Sequence, residues 1–416
     1  MDQPVNGPKN EEMWARYDAV IPGGGVYVTR SARFAGRDVM PGFIESAEGC
    51  RLTDVDGKSY IDFNCGNGPN LLGYRFPEVD KAAFEQSQIM DLSAFFPAKM
   101  PDYAERLLEW APDFDWAIFT KNGSDSTNLS LRIMRAAKNR PYIVLLKSAY
   151  HGFGVELALS PEAGLEEHQK FVIRVPWNDP QALLEVADQY GEQLAGLMLN
   201  PLDQNPVQET VDISPEMVTA LKEFRRRTGA LIAIDDVRHG FRIHPKGSHI
   251  HMGIDPDLLC LGKAQANGYA TSTILGKEAV RAGAEEIQFT ATYMFSPVSF
   301  VAGITTLNVY ERDNVFQHME DMGTLLKDGL EKIGRETGHE DIIMTGPPAM
   351  LTLLFSKDQK AKRARTFGRH AAQLGAIFHP TLNWFISYAH KQADIEEALD
   401  IARKAFEQTP TDVEQM

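Results

Sequence analysis

Between about residues 75 and 325, short apolar runs alternate with stretches of helical pattern. The runs are Trp116–Phe119, Tyr142–Leu146, Phe171–Val175, Gly196–Leu199, Leu231–Ile234, Leu258–Leu261 and Thr273–Gly276. Strands spaced by helices are joined by crossovers. They therefore build a mainly parallel sheet with helices on both faces, an α/β arrangement of seven strands. In such a sheet ligands bind at the carboxyl ends of the strands. That rule decides where chemistry should be sought.

The flanks read differently. Asn10 stands as the N-cap of a short helix that stops at Ile21-Pro22-Gly23. Phe43–Ser46, Arg51–Asp54 and Tyr60–Phe63, with Asp56-Gly57 as a hairpin turn, predict a small antiparallel sheet. Beyond 325, Met350–Phe355 and Phe385–Ala389 read as strands, and a helix opens near Asp394 with Ile395, Leu399, Ala402 and Phe406 on one face. The expected domains are 1–74, 75–325 and 326–416. The outer two segments form one small α+β domain drawn from both termini.

Charge and cysteines narrow the function classes. A formal net charge of −15 argues against nucleic acid or an anionic membrane as partner. The three cysteines, Cys50, Cys65 and Cys260, are odd in number and widely spaced, so neither a disulfide framework nor a zinc ribbon is expected. The N-terminus lacks a basic stretch followed by an apolar one, and no apolar run approaches the ~20 residues of a membrane span. A cytoplasmic protein is expected.

Two strand ends carry opposite charges. Leu258–Leu261 runs into Gly262-Lys263, and Leu231–Ile234 ends in Asp235, 28 positions earlier (263 − 235). Each has a bland reading, a solvated loop charge for the lysine and a helix cap for the aspartate. Together they can hold pyridoxal phosphate, which needs a lysine for its Schiff base and a carboxylate for its pyridinium nitrogen. Burial lowers a lysine pKa and leaves a neutral amine able to attack an aldehyde; the same amine can later move a proton.

Other strand ends extend the constellation. Gly123 and Ser124 follow Trp116–Phe119 and open a helix, which is either a phosphate cup or a plain N-cap by Ser124. Tyr150-His151-Gly152 follows Tyr142–Leu146, where the aromatic could cover a cofactor ring or simply fill core. Val237, two past Asp235, could pack on the opposite ring face. His249-Ile250-His251 offers no third ligand at useful spacing, so no metal site is expected.

Taken in order, these residues resemble the class III aminotransferases of pyridoxal-phosphate fold type I. Ile21–Gly24, Asp54–Lys58, Tyr60–Phe63, Leu71–Gly73, Asp235-Asp236-Val237 with Gly240-Phe241-Arg242, and Leu261-Gly262-Lys263 are similar to the glutamate-1-semialdehyde aminomutase branch. Lys121–Asp125, Asp235–Arg238, Lys263 with Ala266–Tyr269, His379-Pro380, Asn383 and Ala389-His390 resemble the fumonisin aminotransferases more narrowly. The resemblance implies amino transfer from a bulky or long-chain primary amine to a keto acid such as pyruvate. It implies a homodimer with shared active sites, in which Thr292 reaches the partner's cofactor phosphate. It places Asn205 near the ring hydroxyl, with His151 among the cofactor contacts. It assigns Arg30 or Arg33, Asn67 and Arg238 to the substrate.

The departures from that branch are specific. Asn67 replaces a pocket tryptophan and frees volume. Asn200-Pro201 replaces Glu-Pro, and Gln265-Ala266-Asn267 replaces a glycine run. The alternatives are a glutamate-1-semialdehyde-type isomerase and a non-catalytic cofactor-binding protein.

Overall fold

The structure is a computed structural model that describes residues 4–22, 36–159, 166–203, 208–356, 358 and 360–412. The chain divides into two compact units. One takes Pro77–Asp203 and Val211–Asp313. The other takes Met1–Phe76, Gln204–Thr210 and Asn314–Met416. The expected boundary near 325 falls inside the helix Val315–Glu336, which runs unbroken.

The first unit carries the large sheet. Its strands are β1 (Trp116–Thr120), β2 (Tyr142–Leu146), β3 (Val172–Val175), β4 (Leu194–Leu199), β5 (Leu231–Asp235), β6 (Leu258–Leu261) and β7 (Ser272–Gly276). They lie in the order β1-β7-β6-β5-β4-β2-β3. The pairs β2–β3, β2–β4, β4–β5 and β5–β6 are parallel. Only β7 runs against its neighbours β6 and β1. Every residue of β4, β5, β6 and β7 is buried, as expected of strands covered on both faces. Leu131, Ile133 and Met134 of the helix Gly123–Lys138 pack with Ile143, Leu145, Met198, Ala233, Leu258 and Ile274.

That helix has well-defined ends. Asn122 is its N-cap with extended backbone, and Asp125 accepts the Asn122 N–H at 2.7 Å. Arg135 and Lys138 lie in its last turn, where positive charge suits the helix dipole. The strand-to-helix junction is thereby fixed on both sides of Gly123 and Ser124. Ser124 is not the N-cap, because Asn122 occupies that place.

The second unit holds a four-stranded sheet of Ile44–Glu48, Arg51–Asp54, Ser59–Asp62 and Ala376–Ile377. The first three strands are antiparallel, and the last joins in parallel. Asp54 Oδ1 accepts the N–H groups of Asp56 and Lys58, and Gly57 turns at φ +89°. Here two expectations need correction. The first helix spans Pro8–Val20 with Gly7 as N-cap. Asn10 is inside it, buried, donating to Asp56 and accepting the Phe43 N–H, both at 2.8 Å. Its bonding is tertiary, which a local cap reading cannot foresee. Residues 385–389 form no strand: the Phe385 N–H donates to Phe63 and the Ile386 N–H to Ala349, so the segment joins no ladder. Among the described residues no helix is long and apolar enough to cross a membrane.

Candidate active site

Asp235 ends β5 at the edge where β6 delivers Lys263. Asp235 pairs in register with Cys260, so the lysine stands three residues beyond the aspartate's neighbour. Gly262 precedes it with extended backbone, and Lys263 itself adopts φ +42°. A left-handed lysine is uncommon and strained, and such strain persists only where the surroundings dictate it. The turn Lys263–Ala266 and the buried Ala264, Gln265 and Ala266 hold it.

The amine is half-buried, and its pKa falls to about 7. Burial is the main cause, and the positive charge of Arg238 adds to it. Asp235 opposes the shift, while Arg242 contributes in the lowering direction. A lysine in this state is a competent nucleophile and proton carrier near neutral pH.

Asp235 is buried and braced by three donors. His151 Nδ1 lies 2.8 Å from Oδ2, Asn200 Nδ2 lies 3.4 Å from Oδ2, and the Val237 N–H donates to Oδ1 at 3.2 Å. Because a carboxylate only accepts, the His151 proton is on Nδ1. His151 Nε2 is buried and has no hydrogen-bond partner among the described residues. The next residue, Asp236, faces elsewhere. It accepts from the Ser248 N–H at 3.0 Å and hydroxyl at 2.5 Å, and burial raises its carboxyl to about 6.

The opening of the helix Gly123–Lys138 meets the same edge. A Cβ on Gly123 would lie 2.5 Å from Val237 Cγ1, and one on Gly262 would lie 3.2 Å from the same atom. Val237 is therefore set between two glycine backbones. Ser124 Oγ accepts the Phe153 N–H at 3.3 Å, and Thr127 Oγ1 donates to the His151 carbonyl at 2.6 Å. These bonds tie the loop after β2 to the helix after β1. Gly123→Ala is expected to cost about 1–3 kcal/mol through overpacking. The double variant with Val237→Ala should recover most of that loss in urea unfolding.

Tyr150 is more than half exposed. Burial of its hydroxyl raises its pKa, with Arg238 opposing and Asp235 reinforcing. Arg238 thus shares the electrostatic neighbourhood of Lys263, Asp235 and Tyr150. Thr292 is exposed at the start of the turn Thr292–Phe295. Asn67 belongs to the other unit, at φ +68°, with its N–H on Asn64 Oδ1 at 2.7 Å. Arg30, Arg33 and Asn205 lie outside the described residues. His249 pairs with Asp113 at 3.1 Å and His251 with Asp212 at 3.0 Å, and among the described residues no three-ligand metal cluster forms.

Sequence reasoning missed the contact of Asn200 with Asp235. Asn200 entered only as a departure from a motif. Its place directly after the apolar run before Leu231–Ile234 was the available signal, since consecutive runs often pair. It also gave His151 no function as the brace of Asp235.

Comparison with known proteins agrees with this geometry. The model of the family described as aminotransferase class-III matches residues 34–406. An aminopentol aminotransferase from Sphingopyxis macrogoltabida is 33% identical over 402 residues, covering 97% of this chain and 94% of the relative. A glutamate-1-semialdehyde 2,1-aminomutase from a Sulfurihydrogenibium species is 27% identical over 435 residues, covering 97% of this chain and 100% of the relative. The structure of the FumI protein of Sphingopyxis sp. MTA144, in its pyridoxal-phosphate internal aldimine form, superposes with a TM-score of 0.93 at 32% identity. That match covers 96% of each chain.

The residues on this sheet edge fit pyridoxal phosphate. They offer a half-buried amine of low pKa, a braced buried carboxylate, an unpartnered buried imidazole nitrogen and a helix N-terminus opened by glycine and serine. On the family match and on this chemistry, the chain belongs to the class-III aminotransferases and is a pyridoxal-phosphate-dependent enzyme.

Proposed function

We propose that this enzyme moves the amino group of a bulky or long-chain primary amine to a keto acid such as pyruvate. The observation that carries the reading is the meeting of Lys263 and Asp235 at adjacent strand ends, amine and acid on one sheet edge. The donor class is supported by the aminopentol aminotransferase likeness and by Asn67, a small side chain where the resemblance implies an indole.

When bound, pyridoxal phosphate supplies the electron sink for the carbanion and carries the amino group between half-reactions, so kinetics should be ping-pong. Lys263 takes the proton from the amine-bearing carbon and returns it. Asp235 keeps the ring nitrogen protonated, held in place by His151. Gly123 and Ser124 bind phosphate with backbone N–H and hydroxyl donors. Tyr150 and Val237 would cover the two ring faces. The resemblance assigns Asn205, outside the described residues, to the ring hydroxyl. Arg238 would meet a substrate carboxylate, and the resemblance assigns Arg30, Arg33 and Asn67 to the substrate as well.

The exposed Thr292 and exposed aromatics Phe95, Phe96, Phe153 and Tyr293 support a homodimer in which Thr292 reaches the partner's phosphate. A cytoplasmic setting agrees with three free, buried cysteines.

One assay separates this reading from the isomerase alternative, which the aminomutase relatives fit but which is less favoured. The enzyme is given long-chain amines with pyruvate, and alanine is measured. Alanine formation with parallel lines in double-reciprocal plots is expected. Isomerisation of glutamate 1-semialdehyde without alanine from any amine would replace the reading.

A further inference from the structure

Asp235 presents its oxygens unequally. Oδ2 accepts from His151 Nδ1 at 2.8 Å and from Asn200 Nδ2 at 3.4 Å. Among the described residues, Oδ1 accepts the Val237 N–H alone, at 3.2 Å. A carboxylate offers about four acceptor sites. Among the described residues both on Oδ2 are taken, as is one on Oδ1, so a single site is left, on Oδ1. A pyridinium N–H needs one site.

Asn200 is the group that fills the last Oδ2 site. Without it the carboxylate would have two open sites on different oxygens and one less restraint on its rotation. The same Nδ2 lies 3.5 Å from the Tyr150 carbonyl. One amide thus spans the acid that ends β5 and the main chain of the aromatic that follows β2. Both contacts are long, so their effect is orientation more than tight bonding. Asn200 is held where it is. It is buried, and the residue before it, Leu199, pairs in register with Ile234, the residue before Asp235.

We propose that Asn200 is a positioning residue for Asp235, a neutral donor that fixes which carboxylate oxygen is offered to the cofactor and ties it to the Tyr150 backbone. This rests on the reading of Asp235 as the partner of the ring nitrogen. An amide supplies a neutral donor here, where the resembling branch carries a glutamate. A carboxylate at the same place would supply no donor to Oδ2 and would set a second negative charge beside it, which disfavours ionisation of both.

Asn200→Asp keeps the shape, removes the donors and adds that charge. Asn200→Ala removes the contact alone. Pyridoxal phosphate is titrated into each apoprotein by tryptophan fluorescence, and the visible band of each loaded protein is followed against pH. Asn200→Asp is expected to weaken affinity about tenfold and to move the band's pH midpoint up by about one unit. Asn200→Ala should weaken affinity by a smaller factor, about threefold, with little midpoint shift. Asp235→Asn serves as reference. Wild-type behaviour of Asp235→Asn would overturn the reading of Asp235, and this proposal with it. A changed Asp235→Asn beside unchanged Asn200 variants would overturn the proposal alone. Lower melting temperatures with weaker binding but an unmoved Asn200→Asp midpoint would also overturn it, because a merely structural asparagine gives that pattern.

Discussion

Lys263→Ala is expected to lose amino transfer by a factor of about 10⁴ while keeping its fold. The half-buried side chain is not part of the hydrophobic core cluster, so removing it leaves β6 and the turn Lys263–Ala266 intact. Alanine tolerates φ +42° no better than lysine, and no new strain arises. Borohydride treatment followed by peptide mapping checks the assignment directly: the wild type should carry reduced cofactor on Lys263 and the variant none. Turnover within tenfold of wild type in the variant would remove Lys263 from the chemistry. The amine's pKa of about 7 adds a second signature. Its neutral form, the one that attacks an aldehyde, predominates above that value. Cofactor capture by the apoprotein should therefore accelerate about tenfold per pH unit up to 7 and level off beyond it. A midpoint near 10 would mean that burial and Arg238 do not act on this amine.

The second large effect concerns stability in acid. His379 and His390 are buried in the unit that gathers both termini, and burial pushes each down to about 4. Arg365 reinforces the shift at His379, and Asp394 opposes it at His390. In the unfolded chain both titrate near 6.5. Above 6.5 neither state is protonated and there is no penalty. As pH falls from 6.5 to 4, the unfolded state binds protons that the folded state refuses. Stability then drops by up to about 1.4 kcal/mol per pH unit for each histidine, and the loss is complete near pH 4. The total is on the order of 3 kcal/mol apiece. Asp62, whose carboxyl is raised by burial, works in the opposite direction at the acid end. Asp236, raised to about 6, works the same way below pH 6, so the histidine slope is cleanest between pH 6.5 and 6. Urea midpoints across that interval measure it, and a flat profile would show that these rings are protonated in the folded state. His390→Asn should remove up to about 1.4 kcal/mol per pH unit of the slope and leave the share of the other histidines lowered by burial, His239 among them, whatever it does to absolute stability through the lost stacking on Phe63 at 4.8 Å.

Much of the large sheet could be read from the chain because its strands are buried on both faces. Continuous apolar runs such as Gly196–Leu199 and Leu231–Ile234 have one physical explanation when helices separate them. Direction was less legible. β7 reads like any other run, and nothing in Thr273–Gly276 says that it opposes its neighbours. Register and tertiary polar bonding were not legible at all. Asn10 looked like a cap and is a buried partner of Asp56 and Phe43. Phe385–Ala389 had strand composition, but its N–H groups are taken by separate segments. Lys263 and Asp235 were legible because strand ends in parallel sheets are where ligands bind. Asn200 stood at such an end too, yet an asparagine there has no chemistry of its own, and its significance lies in the oxygen it touches.

The reversed strand has a consequence for how the lysine comes to be in place. β6 and β7 are antiparallel neighbours, so residues 262–271 leave the sheet edge and return to it directly. The other strand ends at this edge lead into long connections that must cross the sheet before the next strand pairs. Short loops lose less chain entropy on closure, and contacts near in sequence form early. The Lys263 loop can therefore be set by two adjacent strands meeting, before distant segments such as Gly123 and His151 arrive around it. The order of assembly would run from the amine outward, with the acid and the helix terminus added to a lysine already in position.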